Sequence, residues 1–197
     1  PAEFEQIGIE CIGNGSISAD AEMITLMADV LLAAGLKDFK ISIGHIGFLQ
    51  ELFLSILGNE ERASVLRKFL YEKNYVGYRE HVKSLPLSSI DKQRLIAFIS
   101  LRGGEDTISR ALELLENSVG QETLTELKEL AQQLKAYGVE EYVSFDLTLV
   151  SHMSYYTGTL FEVYAGKVGS PIGNGGRYDN LLAKLGWDAP ATGFAIR

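Results

Sequence analysis

The chain has 197 residues, of which 46% are hydrophobic and 22% charged, and its formal net charge is −8. This balance is typical of a soluble globular protein, and no apolar run reaches the roughly 18 residues that a membrane span needs. Phosphate binding needs clustered Lys and Arg, so the composition argues against nucleic-acid as well as membrane partners. The single cysteine, Cys11, excludes an internal disulfide framework, and we expect one sizeable core in a reducing, cytoplasmic setting.

The two ends of the sequence predict a fragment. The chain starts at Pro1 without an initiator methionine, and it stops at Arg197 directly after a strand-like run. We therefore expect this sequence to be part of a longer protein.

Residues 3–12, EFEQIGIECI, alternate in the way that predicts a β-strand. One face of this strand carries Gln6 and Glu10 on either side of Gly8, opposite an apolar row. These two polar side chains would cost about 1–3 kcal/mol each if they were buried without partners. Taken alone, the pair favours an exposed edge, whereas the glycine between them leaves room for a ligand.

The next segment predicts a helix, a strand and a second helix. The first helix covers Ala21–Ala34, with apolar residues at helical spacing, Asp20 as its cap and Gly35 as its stop. It is followed by a short strand over Phe39–Ile43 and by an apolar helix over Phe48–Leu57 that Gly58 ends.

Residues 59–140 differ from both flanking segments and predict a mainly helical insertion. Strand character returns after it, so we predict an α+β fold in which residues 1–58 and 141–197 build one antiparallel sheet. The helical stretches are expected near 60–72, 88–100, 105–117 and 121–137, with a break at Arg102-Gly103-Gly104. The returning strands are expected over Tyr142–Val150, Ser154–Ala165 and Ala191–Ile196.

The strand predicted over Ser154–Ala165 repeats the pattern of the first strand. Tyr156 and Gly158 share one of its faces, and Tyr155 lies on the other. Taken alone, tyrosines at this spacing favour core packing over a ligand pocket.

A glycine-rich loop, GNGGRYD over residues 173–179, comes next and allows the backbone to approach something small. Taken alone, its Gly-Gly pair favours a simple turn. Arg177 is expected to form a structural ion pair, for instance with Asp179. Leu181, Leu182 and Leu185 then predict a short helix.

Five peptides of the chain occur in the order in which they stand in the class II histidyl-tRNA synthetases. EFEQIGIECIG resembles the second half of motif 2 of that family, and DAEMITL resembles the helix after it. YYTGTLFE resembles the second histidine-binding signature, GGRYDNLL the loop that follows, and ATGFAIR the start of motif 3. The resemblance implies a class II aminoacyl-tRNA-synthetase-like catalytic domain with an antiparallel sheet and a helical insertion.

The same resemblance implies a histidine-binding pocket, either for an effector or as a vestigial substrate site. Gln6 and Glu10 match residues that hold the α-amino group and neighbouring polar atoms of histidine. Tyr156 and Tyr178 match the tyrosines that contact the imidazole, and the glycines of GGRYD match those that let the loop close. The predicted pocket consists of Gln6, Glu10, Tyr155, Tyr156, Gly175, Gly176 and Tyr178.

The four residues before YYTG depart from the family pattern. The synthetases carry Arg-Gly-Leu-Asp there, and the arginine contacts the substrate carboxylate and α-phosphate; this chain has Ser151, His152, Met153 and Ser154. A serine supplies neither a permanent charge nor a fork of donors, and losing one such group typically costs about 10²–10³ in rate. His152 would point to the opposite face of a strand, so we expect a surface or packing role. No catalytic residue, metal or cofactor is predicted.

Retained recognition without this arginine resembles the histidyl-tRNA synthetase paralogues of the HisZ type, the regulatory subunits of ATP phosphoribosyltransferase. That resemblance implies a non-catalytic subunit, itself a homodimer, in a hetero-octamer with a short-form catalytic subunit. It also implies feedback inhibition by histidine, with no tRNA or membrane partner. The first alternative is a catalytic-domain fragment of an active histidyl-tRNA synthetase, which would need another arginine at the vacant position. The second is a synthetase-like domain inside a longer sensor protein.

Overall fold

The structure is a computed structural model that describes residues 3–114 and 120–197. In these two ranges, seven β-strands form one sheet, accompanied by seven α-helices and two short 3₁₀ turns. The strands are β1 (Ile7–Ile12), β2 (Phe39–His45), β3 (Arg102–Gly103), β4 (Val143–Asp146), β5 (Thr159–Ala165), β6 (Gly173–Arg177) and β7 (Ala191–Ile196). The helices are α1 (Ile17–Ala33), α2 (Ile46–Leu57), α3 (Glu60–Tyr71), α4 (Tyr75–Ser84), α5 (Ser89–Phe98), α6 (Asp106–Leu114) and α7 (Gln121–Ala136).

The strands lie in the order β1-β7-β6-β5-β2-β4-β3. Neighbouring strands run antiparallel, except for β2 and β4, which are parallel. A parallel pair needs a long crossover connection, and helices α2 to α7 supply it. The predicted α+β fold is confirmed, and the parallel pair is a feature that the sequence pattern did not reveal.

The two faces of the sheet differ in chemistry. On one face, Ile41 and Ile43 of β2 lie beside Phe161 and Val163 of β5, and all four are buried in the main hydrophobic core. Opposite residues of paired strands share a face, so the other face carries small and polar positions. These include the paired rows Glu10–Gly193–Gly176 and Ser42–Glu162–Asn174.

The helices of residues 60–136 pack onto the same core as the sheet. Leu66 of α3, Phe98 of α5 and Leu127 of α7 belong to one buried cluster with Phe53 of α2. Phe53 and Phe98 meet edge to face, with ring centroids 5.3 Å apart, an arrangement that adds to the stabilisation from area burial. The division into parts 1–58, 59–140 and 141–197 stays a prediction. No helix in the described ranges is long and apolar enough to cross a membrane.

Helix α1 begins earlier than the sequence predicts. Its N-cap is Ser16, and Asp20 lies inside the helix with no exposed surface. The prediction of Asp20 as the cap was therefore wrong, because its carboxylate pairs with the distant Arg177 instead. The predicted stop is confirmed: Gly35 has φ +87°, and its N–H donates to Leu32 O, as a left-handed C-terminal cap requires.

The strand predicted over Ser154–Ala165 is also shorter in the structure. Strand β5 starts at Thr159, so Tyr155 and Tyr156 lie in the turn before it and do not alternate across a sheet. The glycine-rich loop, in contrast, contains strand β6. Glycines have low β propensity, and this strand forms because β5 and β7 bond to it on both sides.

Helix α4 was not predicted. It contains Gly77, and Asn74 caps it by accepting a hydrogen bond from the Gly77 N–H at 2.9 Å. Its buried residues, Tyr78 and Val82, lie four positions apart and face the core. The helices predicted near 60–72, 88–100 and 121–137 are confirmed as α3, α5 and α7. The one predicted near 105–117 is confirmed as α6 up to residue 114, and its remaining three positions fall outside the described residues.

Candidate functional site

Two glycines form a floor on the small and polar face of the sheet. Glu10 of β1 is paired with Gly193 of β7, which is in turn paired with Gly176 of β6. A Cβ atom on Gly193 would overlap the Glu10 carboxylate, and a Cβ on Gly176 would lie 2.7 Å from Cε1 of Tyr156. The carboxylate and the aromatic ring therefore rest directly on backbone.

Three tyrosines surround this floor. The ring centroids of Tyr155 and Tyr156 are 4.8 Å apart, and Tyr155 meets Tyr178 in a T-shaped contact at 5.7 Å. The Tyr178 hydroxyl donates a hydrogen bond to the Glu10 carboxylate. We call Glu10, Tyr155, Tyr156, Tyr178 and Gly176 the tyrosine cluster. It unites five of the seven pocket residues that the sequence predicts.

The remaining two predicted residues are placed differently. Gln6 lies exposed in the segment before β1. Gly175 is turned to the opposite face of β6, where an added Cβ would lie 2.5 Å from Cζ of Phe161. The space at Gly175 is thus filled by a core side chain. The space at Gly8, which the sequence suggests for a ligand, is likewise taken, because a Cβ there would lie 2.7 Å from the Phe194 carbonyl oxygen.

The hydroxyl groups of Tyr156 and Tyr178 remain protonated near neutral pH. Burial raises the pKa of Tyr156 well above its ordinary value, and the neighbouring Tyr155 adds to the rise. Burial also raises the pKa of Tyr178, and its hydrogen bond to Glu10 adds to the effect. The Tyr156 hydroxyl can therefore donate a hydrogen bond to a ligand, while Glu10, which already accepts from Tyr178, keeps acceptor capacity for a cationic or N–H group of a ligand.

Arg177 anchors the loop that carries Tyr178. Its Nε donates to Asp20 Oδ2 at 2.9 Å, and its Nη1 donates to Asp179 Oδ1 at 2.9 Å, so the predicted pairing with Asp179 is confirmed. The same guanidinium also donates to the carbonyl oxygens of Asn14 and Ser16. Burial raises the pKa of Asp20, and Arg177 opposes this rise. Arg177 is thus a structural residue beneath the tyrosine cluster.

Residues 151–154, which include Ser151 at the position of the arginine in the family pattern, form a tight turn at the surface. The Ser151 hydroxyl oxygen accepts a hydrogen bond from the Met153 N–H at 3.0 Å. His152 is exposed, and its ring meets Tyr71 of α3 edge-on at 6.1 Å. The predicted surface or packing role of His152 is therefore confirmed. A cavity of about 490 Å³ lies between this segment and α3, and Arg67 and Tyr156 both line it.

A second cavity, of about 340 Å³, lies on the small and polar face. Along one wall, Lys73 Nζ donates to the Tyr164 hydroxyl at 3.0 Å, which donates to Glu162 Oε2 at 2.6 Å. Asn174 and Arg197 also line it. The side chains of Lys73, Glu162 and Arg197 thus give this cavity a polar, charged lining.

Sequence analysis missed the cationic residues of both cavities. Lys73 has φ +53° directly after α3, a conformation that is uncommon for residues other than glycine and has no signature in the sequence. Arg67 is one of several basic residues on a surface helix, and only the tertiary fold places it in the lining of the same cavity as Tyr156. The one signal in the sequence was Ser151, at a position where the resembling synthetases carry an arginine.

A sequence model described as "Histidyl-tRNA synthetase" matches residues 1–197. An ATP phosphoribosyltransferase regulatory subunit of Geobacillus thermodenitrificans (strain NG80-2) is 64% identical over 197 residues, covering 100% of this chain and 50% of that protein. The crystal structure of an ATP phosphoribosyltransferase regulatory subunit/histidyl-tRNA synthetase from Bacillus halodurans C has a TM-score of 0.97 at 56% identity, covering 100% of this chain and 52% of that one.

A more distant likeness shows the fold alone. A chain of the ATP phosphoribosyl transferase (HisG:HisZ) complex from Thermotoga maritima has a TM-score of 0.70 at 19% identity, covering 97% of this chain and 65% of that one. The chain described here spans about half the length of the curated relatives that it matches. With the sequence model matching from the first residue to the last, the chain belongs to the histidyl-tRNA synthetase family.

Proposed function

We propose that this chain is part of a regulatory subunit of ATP phosphoribosyltransferase that binds histidine in the tyrosine cluster and has no aminoacylation activity of its own. The observation that carries the proposal is the cluster itself. Aromatic rings and a carboxylate stand over a glycine floor, beside a segment that has a serine where the synthetases carry an arginine.

The chemistry of the cluster suits histidine. The faces and edges of Tyr155, Tyr156 and Tyr178 can pack around an imidazole ring, since offset and edge-on aromatic contacts are favourable. Glu10 lies at one side of the rings and can accept from the α-ammonium group or from an imidazole N–H. A pocket of this kind recognises an amino acid without any reactive group of its own.

The absence of aminoacylation follows from position 151. Adenylate formation places developing negative charge on a phosphate, and preorganised cationic donors stabilise such charge. Ser151 is neutral, and its oxygen already accepts a hydrogen bond from the Met153 N–H. A domain with this segment can bind the amino acid while lacking the group that would activate it.

We further propose that the partner is a short-form ATP phosphoribosyltransferase catalytic subunit, in the cytoplasm, where the free Cys11 stays reduced. The 64% identity to a protein named as the regulatory subunit of this enzyme supports the proposal. So does the likeness in fold to a chain of the HisG:HisZ complex of Thermotoga maritima. In this assembly, proposed as a hetero-octamer built on a homodimer of the regulatory subunit, histidine would act as the feedback inhibitor of the first step of histidine biosynthesis.

The test uses the full-length gene product mixed with a short-form catalytic subunit. We expect transferase activity to appear on mixing and histidine to inhibit it. Tyr156→Ala should abolish this inhibition and leave assembly intact. Tyr137→Ala, exposed at the end of α7, is the matched control and should leave inhibition unchanged. Inhibition that survives Tyr156→Ala would place the effector elsewhere, and efficient loading of histidine onto tRNA by the wild type would show a synthetase instead.

A further inference from the structure

The cavity between α3 and residues 150–154 contains a cationic donor that the tyrosine cluster lacks. Arg67 of α3 projects into it, and its side chain is 21% exposed. Its Nη2 donates to the Glu60 carboxylate. Its Nη1 is buried and has no hydrogen-bond partner among the described residues. A buried, unpaired guanidinium nitrogen is unfavourable, and the pairing with Glu60 satisfies only one of the two terminal nitrogens.

Tyr156 connects this cavity with the tyrosine cluster. It lines the cavity, and its ring also rests on Gly176 beside Tyr155. An amino acid whose side chain lies among the tyrosines has its carboxylate only a few bonds away. The Glu10 side of the cluster repels a carboxylate, because it already holds one. The cavity that Tyr156 and Arg67 both line attracts it, because the guanidinium is positively charged.

We propose that Arg67 of helix α3 binds the α-carboxylate of histidine, a contact with the bound amino acid that does not replace the charge next to a phosphate which position 151 lacks. This inference rests on the proposed function, because it takes histidine to occupy the tyrosine cluster. Glu60 fixes one nitrogen of the guanidinium fork and leaves Nη1 to form a charge-assisted hydrogen bond. The Ser151 hydroxyl also lines the cavity; since its oxygen accepts from Met153 N–H, its hydrogen is free to donate to the same carboxylate.

The neighbouring Lys68 lines the same cavity but differs from Arg67 in two respects. Lys68 is exposed and solvated, whereas the free nitrogen of Arg67 is buried. An exposed ammonium interacts weakly with a partner because water screens it. Lys68 is therefore the matched control: it has the same charge, helix and cavity, and its loss is expected to change histidine affinity by less than about threefold.

The experiment measures the affinity of the full-length gene product, in complex with the catalytic subunit, for histidine and for histamine, which lacks only the carboxylate. Arg67→Met should lower histidine affinity by about 10- to 100-fold, the effect of one hydrogen bond to a charged group. It should leave histamine affinity unchanged. Lys68→Met should change neither value. Adding Ser151→Arg to Arg67→Met should restore at least part of the histidine affinity, because it returns a guanidinium to the other wall of the cavity.

Each result bears on one of the two proposals. Failure of the wild-type complex to bind histidine would sink the proposed function. If histidine binds and Arg67→Met leaves its affinity unchanged, the carboxylate contact is excluded and the proposed function stands. Equal losses for histidine and histamine would show a purely structural role for Arg67 and would also exclude the contact. If histamine binds too weakly to measure, the Ser151→Arg rescue decides: recovery supports the contact, and no recovery overturns it.

Discussion

Gly176→Ala tests whether the tyrosine cluster depends on a bare backbone. The new Cβ would lie 2.7 Å from Tyr156 Cε1 and 2.8 Å from the Thr159 carbonyl oxygen. Real Cβ atoms keep about 3.4 Å from such neighbours, so the ring must retreat by about 0.7 Å, the difference between 3.4 and 2.7 Å. The Thr159 oxygen cannot retreat as easily, because it belongs to the backbone of strand β5.

We expect Gly176→Ala to lower the free energy of unfolding by about 1–3 kcal/mol, the usual cost of overpacking. Histidine affinity should fall by at least about tenfold, since a displaced Tyr156 ring no longer matches its ligand. Urea unfolding followed by the fluorescence of Trp187, the single tryptophan, gives the first quantity, and titration calorimetry gives the second.

Gly169→Ala is the control for this variant, because no heavy atom lies within 4 Å of its added Cβ. It should change the free energy of unfolding by less than about 0.5 kcal/mol. If Gly176→Ala matched Gly169→Ala in both measurements, the tyrosine ring would not rest on the backbone in solution, and the description of the pocket floor would be wrong.

Two further predictions concern the ionised groups beneath and beside the site. Asp20→Asn should cost about 3–5 kcal/mol in urea unfolding, because it removes the fully buried carboxylate partner of Arg177 and leaves only the more exposed Asp179. Asp179→Asn should cost about 1 kcal/mol or less, and equal losses would contradict the assignment of Asp20 as the main anchor. The hydrogen bond from His45 lowers the pKa of Glu126 below its ordinary value of 4.5. The ionised Glu126 therefore stabilises the fold above pH 4.5, and this stabilisation is lost as the pH falls through the pKa that Glu126 has in the folded state. The stability advantage of the wild type over Glu126→Gln should therefore shrink between about pH 5 and about pH 3, and an advantage that grows on acidification would show the opposite sign of linkage.

The fold class was predictable because its strands and helices carry local signals. Strand β7 and helix α2 form at or close to their predicted bounds, and glycines mark the ends of α1 and α2. The start of α1 was not predictable, because Asp is a residue type that commonly caps helices. Only the pairing of Asp20 with Arg177, 157 positions away, accounts for its place inside the helix. The sequence predicts a loop at the position of β6, because its glycines form a strand only between two neighbouring strands.

The same dependence on neighbouring strands explains which of the predicted pocket residues lie together in the structure. The resemblance to a family supplied Glu10, Tyr155, Tyr156 and Tyr178 as a set, and the structure brings them together. Strand parity separates Gly175 from Gly176, and parity cannot be assigned to residues that are read as a loop. Arg67 could not be found by any local pattern, because its relevance comes from the packing of one helix against a distant turn.

The parallel pair in the middle of the sheet has a consequence for how the chain folds. Ser42 of β2 and Ser144 of β4 lie side by side although they are 102 positions apart in sequence. Contacts of such long range are slow to form, because a long loop must close before they stabilise anything. The helices between these strands form from nearer neighbours, so we expect them to assemble first and the sheet to close late. Competence to bind a ligand would then be among the last properties that a newly made chain acquires.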